Sequence, residues 1–217
     1  TCIFLIPTLH RTVMPERFVE HYGGGTWFKA AFLHTFTFLA LSFLLVNPPF
    51  GDIAAPELAS NWRVVADDGE ELPYPHGMST SGATLTWYTE GSPILEGEAW
   101  LLFGLMDNVN SDGAIVEVTR EYQANETIRE DNISYWNNNA ERIANGTSTS
   151  NSSAPNLTPH GDLDQPFSVY LGTDLEEGTH KIVVKITEEG DPWKNVQRYT
   201  WNLVVSSESA VQDSMSE

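Results

Sequence analysis

Cysteine and basic side chains are what this chain has least of. Its single cysteine, Cys2, lies ahead of the first long apolar run, so no disulfide can form within the chain and any folded domain is held by packing alone. Lys and Arg number 11 against 30 Asp and Glu, a formal net charge of −19. Nucleic acid and anionic lipid surfaces are bound through basic patches, and this balance argues against both. Calcium, basic partners or salty surroundings suit it better. Catalytic signatures are also missing: there is no Gly-x-Ser-x-Gly, no phosphate-binding glycine loop, no His-x-x-x-His pair and no cysteine after the apolar run. His76, His160 and His180 are scattered, and no pair of carboxylates stands out for glycoside chemistry. The residues predict a protein that is not an enzyme and carries no cofactor, calcium being the one candidate.

What the chain does have is one long hydrophobic run, Ala30 to Val46, preceded by Arg11, Arg17 and Lys29 and closed by Asn47-Pro48-Pro49. About 17 residues at a rise of about 1.5 Å reach about 25 Å, near the lower limit for a bilayer core, and Trp27 and Phe28 extend the run at the interface. The run is too long for a typical signal core, and no small-x-small cleavage site follows it, which favours a retained single-span anchor over a cleaved signal. Basic residues flank its N-terminal side, so the N-terminus is predicted inside and the rest of the chain extracytoplasmic, at the cell membrane. Thr1 to Val13 shows no structural pattern and Met14 is a candidate start. The expected division is 1–26 cytoplasmic, 27–47 anchor or signal, 48–60 linker, 61–206 folded domain and 207–217 disordered tail.

Within the domain, alternating apolar and polar residues predict strands at Asn61–Asp67, Thr84–Glu90, Gly97–Met106, Ala114–Gln123, Pro166–Leu171, Thr179–Glu188 and Gln197–Ser206. About seven short strands rich in β-branched and aromatic residues, with no intervening amphipathic helix, imply an all-β antiparallel sandwich. Most aromatics, among them Trp62, Trp87, Trp100 and Trp201, read as core. Tyr74 and Trp193 lie in proline-containing loops where they could stack on a sugar or a partner.

The stretch Leu175-Glu176-Glu177-Gly178-Thr179-His180-Lys181-Ile182-Val183-Val184-Lys185-Ile186, followed by a hairpin loop and Tyr199-Thr200-Trp201-Asn202-Leu203-Val204-Val205, resembles the last two strands of prokaryotic extracellular immunoglobulin-like domains. The likeness covers Phe167 to Val205. His180 stands where that family often has the tyrosine of a tyrosine corner, which leaves the ring-to-backbone bond of that corner in question. The resemblance implies an immunoglobulin-like sandwich used for binding, adhesion or spacing at a cell surface, with a protein or glycan partner, and it transfers no active-site residues. Acidity and the sequons described next point to an archaeal glycoprotein. An accessory subunit of an envelope assembly, such as a filament, secretion or surface-layer complex, is the alternative; an enzyme or substrate-binding protein with an unrecognised site is the second.

Residues 124–161 break the strand pattern and read as a polar insertion with one short helix. They hold five Asn-x-Ser/Thr sequons, at Asn125, Asn132, Asn145, Asn151 and Asn156, which mark a glycosylatable exposed loop. A Ser/Thr/Asn-rich loop also makes such triplets by composition alone. Asn108, Asn110 and Asp112, followed by Gly113, have the oxygen spacing of a calcium loop, although Thr119 replaces the closing acid. An Asx-rich hairpin turn is the alternative reading of that stretch. Acidic clusters at Asp67/Asp68/Glu70/Glu71, Asp162/Asp164, Asp174/Glu176/Glu177 and Glu188/Glu189/Asp191 fall at strand ends, where charges are ordinarily solvated.

Overall fold

The computed structural model describes residues 5–47, 49–69, 72, 82–89, 91–107, 113–145 and 156–207. It divides into two compact units, Thr1–Asp52 and Ile53–Glu217. The first unit holds three helices, α1 (Ile6–Val13), α2 (Glu16–Val19) and α3 (Gly24–Leu45). Pro7 lies in the first turn of α1, where its fixed φ suits a helix start. That helix occupies a stretch expected to be featureless. Its His10 meets Tyr22 and Trp27 in a ring cluster with centroids 5.4–6.2 Å apart.

Helix α3 begins three residues before the expected boundary at Trp27 and takes in Gly24 and Gly25. Its 22 residues reach about 33 Å, enough for a hydrocarbon core of about 30 Å. Among the described residues it is the one helix long and apolar enough to cross a membrane, with a mean hydropathy of 1.6 and no buried residue. Length and composition fit an anchor or a signal segment.

Among the described residues the second unit has eight strands: β1 (Glu57–Asp67), β2 (Thr84–Thr89), β3 (Ile94–Met106), β4 (Ile115–Tyr122), β5 (Asn125–Glu130), β6 (Gln165–Glu176), β7 (Gly178–Glu188) and β8 (Asn195–Ser207). They form a three-stranded sheet, β1-β3-β6, and a five-stranded sheet, β2-β8-β7-β4-β5. The expected linker 48–60 ends early, because β1 already starts at Glu57. The sheets are not wholly antiparallel: β2 runs parallel to β8 from Thr84↔Asn202 to Thr89↔Ser207. The other strand pairs are antiparallel.

Between the sheets lies one contiguous core, fed by alternate residues of nearly every strand. Trp62 of β1 stacks on Trp201 of β8 with centroids 4.7 Å apart, Trp201 meets Phe103 of β3 edge-on at 5.7 Å, and Phe103 stacks on Phe167 of β6 at 5.5 Å. These rings tie the two sheets together in a domain without cysteine, each buried aromatic contributing on the order of 2–3 kcal/mol.

The segment 124–161 is the largest departure from expectation. Its first residues form β5, which extends the five-stranded sheet beside β4. The chain then crosses to the other sheet: Asp131 bridges Val169, its Oδ1 accepts the Ser168 amide at 2.8 Å, and the Asn132 amide donates to the Ser168 carbonyl at 2.7 Å. Two short helices follow, α4 (Ile133–Asn138) and α5 (Ala140–Asn145). Tyr135 and Ile143 from these helices, with Leu157 further on, cover Val65, Trp100 and Leu102 on the outer face of the three-stranded sheet. This second apolar cluster makes the segment integral to the fold. Gly104 is required beneath it, because a Cβ there would lie 2.2 Å from the Leu157 carbonyl oxygen.

Candidate interaction surface

Strict alternation along β4, β7 and β8 sends Val118, Val184 and Trp201 into the core and their neighbours outward. On the outer face of the five-stranded sheet the register aligns Ile128–Thr119–Val183–Thr200 in one row and Glu117–Lys185–Arg198 in the next. Ile115, Ile128 and Val196 on this face are 64%, 70% and 48% exposed. Lys185 pairs with Glu117, and Lys181 with Glu121 at 2.9 Å. The Lys185 hydrogen bond and charge hold the Glu117 carboxyl below its usual range. Exposed pairs of this kind add little stability, so the pattern is better read as surface chemistry than as structure. Trp193, in the β7–β8 connection, is 59% exposed, in keeping with its proline-containing loop.

The calcium pattern Asn108, Asn110 and Asp112 lies outside the described residues, as do Tyr74, His76 and the sequon asparagine Asn151. The other four sequon asparagines are exposed. Asn125 closes the β4–β5 turn, Asn132 precedes the first residue of α4, Asn145 ends α5, and Asn156 folds its Oδ1 onto the Thr158 amide at 3.1 Å. Beside Asn156 an open cleft of about 440 Å³ is lined by Trp136, Ile143 and Leu157. Trp62, Trp87, Trp100 and Trp201 are buried, as expected of core.

No protein-family model matches this chain, and no curated protein or solved structure does.

Several acidic residues expected to be solvated are instead clips. Asp67 receives both guanidinium nitrogens of Arg142, at 2.6 and 3.1 Å, and the Tyr135 hydroxyl at 2.8 Å. Burial acts to raise its pKa, but the Arg142, Gly69 and Tyr135 hydrogen bonds prevail and hold it below the usual carboxylate range. Asp164 is buried and accepts the His160 amide at 2.6 Å, and Asp174 accepts the Gly97 amide at 2.9 Å. A contact that sequence reasoning missed altogether is made by Arg63, fully buried on β1, whose Nη2 donates to the Ile143 carbonyl near the end of α5 at 2.6 Å. The signal was present: an arginine inside the apolar run Trp62–Ala66 must be covered by acceptors.

His180 makes a ring-to-backbone hydrogen bond. Its ring is fully buried, stacks on Tyr122 at 4.2 Å, and pairs through Nε2 with the Glu176 carbonyl four residues upstream at 2.8 Å. With Nε2 as the donor, this ring-to-backbone bond ties β7 to the end of β6. Burial pushes its pKa down, so the neutral form is held at pH 7. His160 and His180 have separate partners among the described residues, Asp164 and the Glu176 carbonyl.

Proposed function

We propose that this chain is a membrane-attached, extracytoplasmic module whose immunoglobulin-like sandwich binds, adheres or spaces at the cell surface, with the outer face of the five-stranded sheet as its contact surface. The observation that carries the reading is an asymmetry. One sheet has its outer face roofed by Tyr135, Ile143 and Leu157, whereas the other presents Ile115, Ile128 and Val196 among ion pairs. Mixed apolar and charged surfaces of this kind suit reversible contact with a protein or glycan.

Strand neighbours support the immunoglobulin-like reading. With β2 and β5 set aside as edge additions, the order β1-β3-β6 and β8-β7-β4 corresponds to A-B-E and G-F-C of that fold. The bond from His180 to the Glu176 carbonyl takes the place of the tyrosine corner. Attachment is supported by the length of α3 and by Arg11, Arg17 and Lys29 on one side of its apolar stretch. Exposure of Asn125, Asn132, Asn145 and Asn156 supports glycosylation in such a setting.

Because the chain's one cysteine is Cys2, a single engineered cysteine at Thr200 reports on the bare face. On intact cells, an impermeant maleimide is expected to label it, and a maleimide cross-linker is expected to yield one discrete adduct. A cysteine at Asn138, on the roofing segment, is expected to label without that adduct. Failure of both positions to label on intact cells, with labelling after lysis, would overturn the extracytoplasmic placement; identical adduct patterns would overturn the choice of face. An adduct with the chain itself, or with subunits of a larger envelope complex, would convert the reading into the accessory-subunit one.

A further inference from the structure

The chain carries eight Lys and Arg after its apolar run, and four of them make ion pairs in the second unit: Arg142, Lys181, Lys185 and Lys194. Arg120 and Arg129 do not, although acidic side chains far outnumber basic ones. Both point to the same side. Arg129 is the cross-strand partner of the buried Val118, and Arg120 lies two residues further along β4 opposite Thr127. They are therefore diagonal neighbours on the inward face of the sheet edge, with backbones about 7–8 Å apart, where like charges destabilise each other. No carboxylate lies within ion-pair distance of either among the described residues, and the Nε of each is buried without a hydrogen-bond partner.

The surroundings are shaped for this pair. The Arg129 guanidinium lies over the Tyr170 ring at 5.4 Å. Arg120 reaches toward β6, where its guanidinium lies at ordinary contact distance from Gly172, 3.5 Å from the place a Cβ would take there. At this edge of β6, Ser168 already turns its amide and carbonyl outward to Asp131 and Asn132. The Asp131–Val169 bridge occupies that edge of β6. Two half-buried guanidiniums thus lie together where β5 leaves one sheet for the other.

We propose that Arg120 and Arg129 form a binding site for a single oxyanion, a carboxylate or sulfate group, seated in the notch between β5 and β6. Guanidinium donors match both groups in geometry, and an oxyanion would relieve the repulsion between the two arginines while meeting their buried donors. Burial and the neighbouring Arg129 charge both act to lower the Arg120 pKa, as expected of a cationic pair that lacks its counter-charge. The site does not depend on membrane attachment.

The test uses the full chain in detergent micelles, with thermal unfolding followed by tryptophan fluorescence. Sodium sulfate and sodium glucuronate are titrated against sodium chloride at matched ionic strength. The unfolding temperature is expected to rise saturably with sulfate or glucuronate above the chloride baseline. Arg129→Gln and Arg120→Gln are each expected to weaken the apparent affinity about tenfold or more. Lys185→Gln, on the outer face, is expected to leave it unchanged. A stronger response to glucuronate points to a carboxylate-bearing glycan as the source, and a stronger response to sulfate to a sulfated group or the free ion. A rise that does not saturate, or that persists in both arginine variants, is the exclusion effect of salt on any protein and would overturn the site. Should Arg120→Gln not fold, Arg129→Gln alone decides, since that side chain lies on the edge strand.

Discussion

The outer faces of the two sheets are both built from alternating strand residues but meet opposite fates. On β3 the run from Ala99 to Leu105 is buried at every position, inward residues against the opposing sheet and Trp100 and Leu102 beneath the inserted helices. On β4 only alternate residues, Val116 and Val118, are buried, and the rest of the face meets solvent. A strand roofed on both sides gives up period-two alternation, and one roofed on a single side keeps it. The contrast identifies α4 and α5, with Leu157, as a cover for one face and leaves the other available.

Substitutions can separate the two faces. The largest effect is expected from Trp100→Ala, which removes a ring stacked on Tyr135 at 3.8 Å. It should cost about 3–5 kcal/mol. Hydrogen exchange should show α4 and α5 losing protection while β7 and β8 keep theirs; equal loss in both would mean that the two clusters are one cooperative core.

Asp67→Asn is next, since it breaks the double hydrogen bond with the partly exposed Arg142 and weakens the one from Tyr135. About 1–3 kcal/mol is expected in denaturant unfolding at pH 7. The Asp67 pKa is lowered by folding, so its contribution is complete above the unfolded value of about 3.9 and is lost as pH falls through the folded value. The Asn variant should therefore lose less stability than the parent between pH 5 and pH 2.

His180→Tyr tests the buried ring in another way. A histidine whose pKa is depressed by folding binds its proton more readily when unfolded, so the parent should lose stability as pH falls below about 6.5. The tyrosine variant should lack that slope in a series of melting curves from pH 7.5 to 4.5. The smallest effect on stability is expected on the bare face. Ile128→Lys should change unfolding free energy by no more than about 0.5 kcal/mol and yet abolish the cross-linked adduct captured from Thr200. A large stability loss would show that the face is already packed.

The sandwich was legible from alternation because each strand with one dry face writes its own period, as Ala114–Gln123 does. The roof was harder to see. Its polar composition hides three anchoring side chains, Tyr135, Ile143 and Leu157, which are spaced too widely to form a pattern. The other half of the signal lay in the unbroken apolar run Ala99–Leu105 and in Arg63 among apolar neighbours. Both declared that a second surface had to cover them. The acidic clips were equally hidden, because nothing local to Asp67 indicates that an arginine 75 residues away will meet it. The arginine pair is visible only once β4 and β5 are placed side by side, since Arg120 and Arg129 are nine positions apart and fall on one face through the Tyr122–Asn125 turn.

The parallel pairing of β2 with β8 has a mechanical consequence. A pull on the chain beyond Ser207, opposed at the N-terminal end of β2, runs along both strands in opposite directions. The six aligned pairs from Thr84↔Asn202 to Thr89↔Ser207 are then loaded in shear and must give way together. In an antiparallel hairpin pulled from its open end, the pairs would instead unzip in succession. The strand that breaks the antiparallel pattern is thus the one that holds β8 in shear.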